Sequence, residues 1–599
     1  MKFYTNVNQY GNRILVRGVN NGKTVQDKIE FKPSLYTKSQ KQTQHKSLYG
    51  DFLEEIQFAD INDAKDYVTR YKEVENFPIF GNTNYAYQYI TKTFPGEVEF
   101  DISQIKIWSL DIETSAELGF PDVRYPNEEL LLITIQDANT KELVTFGTKH
   151  FNVTKDNHTY IQCRDEYDLL QKFVLYTQDN CPHILTGWNL EFFDIPYLCS
   201  RIARILGDEY VRKLSPWGVV KAKEFTRMNR TELTYDILGV AILDYLDLYK
   251  KFTFVTQESY SLNHISYAEL GEKKASFEGF DGILDMYTRD FQKFVQYNVK
   301  DVDLVVKLEQ KLKLLELALA LAYSAKVNLV DVFSQVRTWD TIIYHYLNSK
   351  KIVIPQKNIE EKDTAFVGAY VKEPQVGMHK WIVSFDLDSL YPHLIMQYNI
   401  SPEMKHDMGK RGTLRPEDIL YPDSEEAKKQ FLLLKDHQEV IREKNLSMAA
   451  NGVYFKRDKQ GFLPELMETM YKERKMYKEK MLDAKRRLKN EKNLSKEEEQ
   501  KIKFDISKYH NFQLVRKIQL NSAFGAVGNQ YFRYYDLDLA EAITVSGQLS
   551  IRWIENALNV FLNKTVGTSD VDYVIASDTD SVYLCLDKLV DKSFKGKTP

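Results

Sequence analysis

Carboxylates at the ends of short apolar runs are the feature that most restricts how this chain can fold. The runs IKIWSLDIE, WIVSFDLDS and VIASDTDS each have the apolar character of a β-strand, and each ends in two acids. A charged carboxylate rarely lies beside a core unless it is paired or binds a metal. The sequence therefore predicts sheets whose strand ends present acids, with Asp578 and Asp580 at the tip of a β-hairpin where a metal could bind.

The bulk composition indicates a large soluble protein. The chain has 599 residues, 43% of them hydrophobic, which suits several cores and about four domains. No apolar run approaches the roughly 20 residues that cross a bilayer, and the N-terminus lacks the apolar core of a signal peptide. We therefore expect a cytoplasmic protein with no membrane partner. The spacing of the cysteines argues against structural zinc and against a disulfide framework; they are Cys163, Cys181, Cys199 and Cys585.

From about residue 101, predicted strands alternate with helices, and four acids follow this α/β pattern. Asp111 and Glu113 lie two apart on one strand and so share a face, Asp194 follows a later strand, and Asp301 lies on a helix one turn after Tyr297. Four such acids can hold two divalent cations about 4 Å apart around a phosphodiester, and Tyr297 could orient the attacking water. Taken singly, each Asp is more often a helix cap or a solvated surface residue.

Residues 464–525 are predicted to form a basic helical hairpin. They carry 16 Lys plus Arg against 10 Asp plus Glu, which leaves 65 against 75 in the rest of the chain. Apolar residues recur on one helix face up to about residue 490, and Ser495 with Glu498 forms a capping box for a second helix. A charged surface helix is the simpler interpretation, and the net charge of −4 gives no general argument for nucleic-acid binding.

Three segments in the first half resemble the Exo I, Exo II and Exo III motifs of the proofreading 3′-5′ exonuclease in family B DNA polymerases. They are Asp111-x-Glu113, Asn189-x-x-x-Phe193-Asp194 and Tyr297-x-x-x-Asp301, in this order. The resemblance implies a ribonuclease-H-like fold. Its catalytic and metal-binding acids would be Asp111, Glu113, Asp194 and Asp301. Tyr297 would join catalysis, while Asn189 and Phe193 would contact the substrate.

The stretch SFDLDSLYPHLI resembles motif A of the same family. By this resemblance, Asp386 would bind both metals with help from the Leu387 carbonyl. The backbone amides from Asp388 through Ser389 and Leu390 to Tyr391 could receive triphosphate oxygens. Tyr391 would lie beneath the sugar and exclude a 2′-hydroxyl by its bulk.

The stretch RKIQLNSAFGAVGN resembles motif B, although Phe524 stands where the family usually has tyrosine. Lys517 and Asn521 are four residues apart, so they share a helix face that could bind the phosphates of an incoming nucleotide. Arg474 on the preceding helix matches the triphosphate-binding arginine of the family, whose planar guanidinium suits phosphate oxygens. The basic hairpin would then be the fingers.

The stretch SDTDS resembles motif C. Asp580, with Asp578 beside it, would face Asp386 and complete a catalytic site that holds two metals through Asp386, Leu387 and Asp580. The cofactor would be Mg²⁺, two ions per active site, with Mn²⁺ as a substitute. One metal would lower the pKa of the primer 3′-hydroxyl while the other holds the triphosphate.

The resemblance covers nearly the whole chain, is strongest to the T-even bacteriophage polymerases, and implies an α/β and α+β multidomain fold. The predicted domains are an N-terminal domain over residues 1–100 completed by about 315–370, the exonuclease over 101–314, a first part of the palm over 371–463, the fingers over 464–525, and a second part of the palm over 526–599. The palm would be an antiparallel sheet with helices, and the thumb would be absent. The implied function is DNA-directed DNA polymerase with a proofreading exonuclease, in phage genome replication.

Family members continue past motif C, so we expect a naturally split polymerase whose second polypeptide carries the rest of the palm and the thumb. A truncated gene product is the rival interpretation, and the polar KTP terminus favours the split. The strand SVYLCLDKL is expected to have an unsupported apolar face and an open edge. The other expected partners are primer-template DNA, dNTPs, a sliding clamp and further replication proteins, in the host bacterial cytoplasm if the chain is phage-encoded.

Two other functions stay open at this point. The chain could act mainly as a 3′-5′ exonuclease, in which case Asp386 would be dispensable. It could instead be a regulatory fragment that binds nucleic acid with inert carboxylates, in which case Mg²⁺ would not matter.

Overall fold

In the computed structural model, the chain forms two compact units, each built from separate stretches of sequence. The structure describes residues 1–117, 119–227, 230–253, 255–276, 279–357, 366–407, 415–491 and 494–594. Unit 1 is Met1–Thr37 with Glu55–Ser334, and unit 2 is Lys38–Glu54 with Gln335–Pro599. This division is coarser than the five predicted domains, whose boundaries stay predictions. The KTP terminus lies outside the described residues.

Strands and helices are mixed along the whole chain, as predicted for an α/β and α+β protein. The strands are β1 Lys2–Tyr10, β2 Arg13–Asn20, β3 Lys23–Glu30, β4 Ser34–Lys38, β5 His45–Ser47, β6 Phe52–Gln57, β7 Ile107–Thr114, β8 Leu130–Asp137, β9 Leu143–Gly147, β10 His158–Gln162, β11 Ile184–Thr186, β12 Val220–Arg227, β13 Arg230–Ile237, β14 Ala241–Ile242, β15 Ile352–Val353, β16 Val371–Lys372, β17 Ile382–Asp386, β18 Lys405–His406, β19 Leu446–Met448, β20 Tyr454–Lys456, β21 Val574–Asp578 and β22 Ser581–Cys585.

The helices are α1 Ile61–Tyr71, α2 Tyr85–Thr93, α3 Glu166–Asn180, α4 Asp194–Leu206, α5 Asp208–Arg212, α6 Tyr245–Phe252, α7 Leu262–Leu270, α8 Ile283–Arg289, α9 Phe291–Leu312, α10 Leu314–Ala325, α11 Gln335–Ser349, α12 Leu390–Tyr398, α13 Pro416–Leu420, α14 Glu425–Glu443, α15 Phe462–Asn490, α16 Lys496–Val527, α17 Leu537–Val566 and α18 Asp587–Ser593. In the described part of the chain, none of them combines the length and the apolar composition that a membrane span requires.

Unit 1 is organised around a six-stranded sheet in the order β10-β9-β8-β7-β11-β14. Strand β7 pairs antiparallel with β8 and parallel with β11. Its side chains alternate: Trp108, Leu110 and Ile112 belong to the core on the side of α3 and α4. Asp111 and Glu113 therefore point to the opposite face, where α9 packs through its own apolar cluster with β8 and β9. This alternation places two acids between the sheet and α9.

A buried arginine ties the N-terminal sheet β1-β2-β3 to the six-stranded sheet within unit 1. The guanidinium of Arg17 on β2 donates to the carbonyls of Cys181 at 2.7 Å, Pro182 at 2.5 Å and Gly239 at 2.9 Å. These carbonyls precede β11 and β14. The N–H groups of the guanidinium satisfy these three carbonyl acceptors, so Arg17 ties β11 and β14, the two strands beyond β7 in the sheet order, to β2.

Unit 2 contains a four-stranded antiparallel sheet in the order β16-β21-β22-β17. Helix α17 covers β21 and β22 through Ile551, Leu562, Val574, Val582 and Leu584. The expectation that the strand SVYLC has an open edge was wrong, because β22 pairs with β21 on one side and β17 on the other. Among the described residues, β17 is the edge strand on this side of the sheet. Ile382 and Phe385 on this strand, and Trp381 just before it, are about half exposed.

The predicted helical hairpin of unit 2 is present as α15 and α16. Ser495 caps α16 in a capping box with Glu498, as the sequence predicts. Across the hairpin, Tyr477 on α15 packs against Phe512 on α16 with ring centroids 5.1 Å apart. The base of α16 is attached to α11, because the Trp339 indole donates to the Ser522 hydroxyl at 3.1 Å.

Candidate active sites

The first candidate site lies in unit 1, where β7 and α9 face each other. Asp111 and Glu113 on β7 and Asp301 on α9 each offer a carboxylate oxygen, and these oxygens lie within 4.8 Å of one another. Asp111 and Asp301 are 190 positions apart in the sequence, so the packing of α9 on the sheet brings them together. Tyr297 lies on the same helix, one turn before Asp301, and is buried.

Asp194 lies beside this group without being one of the three within 4.8 Å in the described residues. It is the first residue of α4 and is 4% exposed. Its carboxylate accepts a hydrogen bond of 3.1 Å from the amide of Ile112, the residue between Asp111 and Glu113. The start of α4 is thereby fixed to the part of β7 that carries the two acids.

The burial of these acids raises their pKa values. Burial, and then the charge of Asp301, raises the pKa of Asp111 to about 8. The pKa of Glu113 is raised well above its ordinary value by burial and by the charges of Asp111 and Asp301. Burial and the Asp111 charge do the same to the pKa of Asp194. Without a cation, the site therefore holds protons that a metal ion would release on binding.

Two polar residues that the motif spacing did not single out complete the group. The Asn298 side chain is fully buried and donates to Asp111 at 2.6 Å. The Lys274 ammonium lies 2.5 Å from Asp301 and so places a positive charge among the carboxylates. Asn298 follows Tyr297 directly, but Lys274 comes from the segment after α7. No sequence signal marked it, because only the fold brings it to α9.

The donor set suits a divalent cation. Carboxylate oxygens are the ligands that Mg²⁺ and Mn²⁺ prefer. One oxygen of Asp301, Oδ1, is buried and has no hydrogen-bond partner among the described residues, although its other oxygen pairs with Lys274. A buried acceptor without a donor is costly, and a cation held by Asp111, Glu113 and Asp301 would satisfy it.

Asn189 and Phe193 lie in the turn that leads into α4. Asn189 has a φ of +66°, a left-handed conformation that asparagine tolerates better than most residues. The buried Asp244 holds this turn, because its carboxylate accepts from the amides of Asn189 at 3.1 Å and Glu191 at 2.9 Å. Phe193 stacks on Tyr197 at 5.9 Å, and the exposed Phe120 packs against it at 5.7 Å. An aromatic surface therefore borders the Asp194 side of the site.

The second candidate site lies at one end of the unit 2 sheet. Asp386 ends β17 and is paired in register with Ser581, the residue after Asp580. The Leu387 amide donates to the Asp580 carbonyl at 2.8 Å, which extends the pairing into the turn. Partial burial, and then the Asp386 charge, raises the pKa of Asp580. The structure therefore places Asp386 and Asp580 side by side.

Asp578 is less closely associated with this pair. In the described residues, Asp386, Asp578 and Asp580 do not form a compact group of three like that in unit 1. Asp578 is exposed, and its carboxylate accepts from the Thr579 hydroxyl at 2.8 Å. Thr579 has a φ of +55°, which makes the turn between β21 and β22 tight.

The start of α12 lies next to Asp386 and carries the remaining motif A residues. Ser389 precedes α12 in a left-handed conformation, and Leu390 is buried as its first residue. Tyr391 packs on Phe524 of α16 with centroids 4.9 Å apart. On another side, a Cβ atom at Gly547 of α17 would lie 2.8 Å from the Tyr391 ring. The ring is therefore held between two helices.

Arg474 of α15 reaches the start of α12, where its guanidinium lies 3.2 Å from Asp388 and 3.1 Å from the Ser389 hydroxyl. On α16, Lys517 is partly buried and Asn521 is exposed. Lys517, Asn521 and Phe524 are spaced i, i+4, i+7, so they share one face of that helix. Since Phe524 contacts Tyr391, this face is turned toward α12.

Comparison with known protein families identifies two matching stretches of the chain. Residues 67–265 match the family described as DNA polymerase family B, exonuclease domain, and residues 332–594 match the family described as DNA polymerase family B. The first match ends before α9. Asp301 and Tyr297 therefore lie outside that match, and it is the geometry that brings Asp301 together with Asp111 and Glu113.

Individual relatives are similar over most of the chain. The DNA-directed DNA polymerase of Enterobacteria phage T4 is 31% identical over 99% of this chain and 70% of its own length. That of Escherichia phage RB69 is 31% identical over all of this chain and 71% of its own length. The DNA polymerase delta catalytic subunit of Drosophila melanogaster is 25% identical over 80% of this chain and 42% of its own length.

Mn²⁺ should stabilise the protein more at pH 8 than at pH 6. The pKa of Asp111 is raised to about 8 in the folded, metal-free protein, so the stability gained from that proton is present below the unfolded pKa and is lost as the pH rises through about 8. Mn²⁺ binds the deprotonated acids, and a hundredfold excess over Kd should add about 2–3 kcal/mol. Thermal unfolding with and without Mn²⁺ measures this difference.

Asp301→Asn should remove most of the difference between the stabilisation by Mn²⁺ at pH 8 and that at pH 6. Asp303→Asn is the matched control, because Asp303 lies on the same helix but pairs with Lys307 outside the group. Equal stabilisation of the two variants by Mn²⁺ at pH 8 would contradict a cation site at Asp301.

Proposed function

Because the chain belongs to the family B DNA polymerases, we propose that it extends primer strands at the unit 2 site and removes nucleotides from 3′ ends at the unit 1 site. The observation that carries the proposal is the arrangement of the acids. Three carboxylates lie within 4.8 Å of one another in unit 1, and Asp386 lies beside Asp580 in unit 2. The substrates would be dNTPs and primer-template DNA.

In unit 1, Asp111, Glu113, Asp194 and Asp301 are the residues that would hold two Mg²⁺ ions on a ribonuclease-H-like fold; in unit 2 they are Asp386, Asp580 and the Leu387 carbonyl. When bound, such ions lower the pKa of the attacking oxygen and stabilise the leaving oxygen. Asp578, near but apart from the pair in unit 2, would complete the acidic edge.

The remaining residues of the exonuclease site would orient water and DNA. Burial, and then the Asp301 charge, raises the pKa of Tyr297 to about 12, so its hydroxyl stays protonated and can donate to a water or phosphate oxygen. Lys274 would stabilise negative charge that develops beside Asp301. The exposed ring of Phe120 and the ring of Phe193 offer a stacking surface for the terminal bases, and the Asn189 turn would contact the strand.

At the polymerase site, the chain would recognise the nucleotide from two sides. The start of α12, with the amides from Asp388 to Tyr391, has the polarity that suits phosphate groups. Arg474 from α15 reaches this point, and α16 would add Lys517 and Asn521. Helices α15 and α16 would be the fingers, and the sheet of β16, β17, β21 and β22 would be the palm.

We propose that a second polypeptide supplies the rest of the palm and the thumb. The support is the edge strand β17, on which Ile382 is 48% exposed and Phe385 is 55% exposed. An exposed edge strand with apolar side chains is a surface that another strand can cover. The proposal also includes replication partners such as a clamp, for which the argument is the family membership alone.

The two activities should be lost separately. Asp580→Ala should lower primer extension by at least about a hundredfold and leave degradation of single strands intact, because each site would hold its own cations. Asp301→Ala should have the opposite effect. Asp587→Ala is the control, because Asp587 is a partly buried acid just beyond β22 and outside the proposed site. Primer extension and single-strand degradation by the purified chain, with and without a candidate thumb polypeptide, measure both.

The compact group of three acids in unit 1 favours the alternative that the chain is mainly an exonuclease. In that case the main activity would be the exonuclease, and Asp386→Ala would leave it unchanged. If neither reaction required Mg²⁺ or Mn²⁺, both enzymatic proposals would fail, and a regulatory nucleic-acid-binding role would replace them.

Gly547→Ala should weaken the discrimination against ribonucleotides. The new methyl group would lie 2.8 Å from the Tyr391 ring, so the ring must move from the position in which Phe524 supports it. Tyr391→Ala should weaken the discrimination further, by about 10- to 100-fold. The ratio of kcat/KM for dNTP and rNTP measures the effect. Gly96→Ala is the control, because a Cβ atom at Gly96 would meet no atom within 4 Å, and equal ratios in all variants would exclude Tyr391 as the sugar filter.

Ile382→Lys should weaken the association with the second polypeptide by at least about tenfold, because a charge on the edge of β17 opposes strand addition. Leu432→Lys is the matched control, since Leu432 is 72% exposed on α14, away from the sheet. Analytical ultracentrifugation of the mixture measures the association. Processive extension by the natural protein purified with no second chain would contradict the proposal.

A further inference from the structure

Asp388 and Arg474 form an ion pair at the point where the proposed function places the triphosphate. The guanidinium of Arg474 lies 3.2 Å from Asp388 Oδ1 and 3.1 Å from the Ser389 hydroxyl. The Arg474 side chain is 16% exposed, whereas that of Asp388 is 64% exposed. The arginine is therefore largely enclosed, and the carboxylate forms its solvent-facing side.

The carboxylate is held at both oxygens by the same helix. While Oδ1 faces Arg474, the Tyr471 hydroxyl donates to Oδ2 at 3.3 Å. Tyr471 and Arg474 are three residues apart on α15, so they project from one face. The Tyr471 ring also packs edge-on against His393 of α12 at 4.7 Å. Asp388 thus lies in a defined contact between α12 and α15.

The position also suits an external anion. Ser389 precedes α12 in a left-handed conformation, and the N-terminus of this nine-residue helix carries a partial positive charge. Together with Arg474 this makes a binding point for phosphate oxygens. In this structure, however, the anion that Arg474 contacts belongs to the chain itself.

We propose that the Asp388 carboxylate is a built-in competitor that a triphosphate must displace from Arg474. This inference rests on the proposed function only for the identity of the natural ligand. Because Asp388 is exposed, its ion pair is weak and can be exchanged. A polyphosphate carries several charges and can bind the planar guanidinium through two oxygens, whereas Asp388 uses one. The exchange therefore favours polyphosphates over weaker anions and returns Arg474 to Asp388 when pyrophosphate leaves.

A direct binding experiment with inorganic tripolyphosphate and Mg²⁺ tests the competition without requiring catalysis. Titration calorimetry on the full chain at constant ionic strength should give a Kd about two- to fivefold lower for Asp388→Asn than for the wild type. Asp483→Asn is the matched control, because it also removes an exposed carboxylate paired with an arginine of α15, Arg486, and should leave Kd unchanged.

The effect must act through Arg474. In an Arg474→Gln background, Asp388→Asn should no longer lower Kd by more than Asp483→Asn does. An unchanged or higher Kd for Asp388→Asn, a decrease that persists without Arg474, or no binding of tripolyphosphate to the wild type would each overturn the proposal. A higher Kd would mean that Asp388 positions Arg474 instead.

Primer extension measured in parallel separates this inference from the proposed function. A chain that extends no primer, but whose affinity for tripolyphosphate rises in Asp388→Asn, would refute the polymerase proposal and retain the competition. A chain that extends primers, with a KM for dNTP that does not fall in Asp388→Asn, would overturn the competition alone.

Discussion

Repulsion between neighbouring carboxylates is the force that both candidate sites must resist. In unit 1, three carboxylates lie within 4.8 Å of one another in surroundings that bury Asp301 almost completely. Burial removes the water that would screen their charges, and the raised pKa values are the result. The positions are nevertheless fixed, because the apolar layers on the two faces of the sheet hold β7 and α9 without involving the acids. Hydrophobic packing thus offsets the electrostatic cost until a cation removes it.

The two units limit this repulsion in different ways. Unit 1 uses internal partners: Lys274 places a positive charge beside Asp301, and Asn298 donates to Asp111. Unit 2 leaves Asp386 and Asp578 exposed to water, where the solvent screens their charges. A hydrolytic site needs only water as its second reactant, so it can be fully preformed. A transfer site must admit a nucleotide, and the more open arrangement of its acids suits that requirement.

The sequence alone predicted the features that depend on residues close together along the chain. Strand alternation placed Asp111 and Glu113 on one face, and the capping box predicted where α16 begins; the structure has both. Contacts between distant segments were predicted only where the resemblance to a known family supplied them, as for Asp111 with Asp301 and Asp386 with Asp580. Lys274 has no motif that could mark it, and the edge of the sheet was assigned to β22 because the pairing with β17 spans about 200 residues. Such pairings depend on the packing of whole layers, and short sequence patterns do not predict that packing.

The packing of Tyr391 connects two motifs that are far apart in the sequence, the one at the start of α12 and the one on α16. Lys517, Asn521 and Phe524 occupy one face of α16, and Phe524 touches the ring of Tyr391 at the start of α12. A displacement of α16 that changed the position of Lys517 would therefore also change the support of Tyr391. Gly547 on α17 closes the other side of the ring, since no Cβ atom fits there without a shift. The residue proposed to read the sugar thus packs against the helix face that carries two of the residues proposed to bind the phosphates.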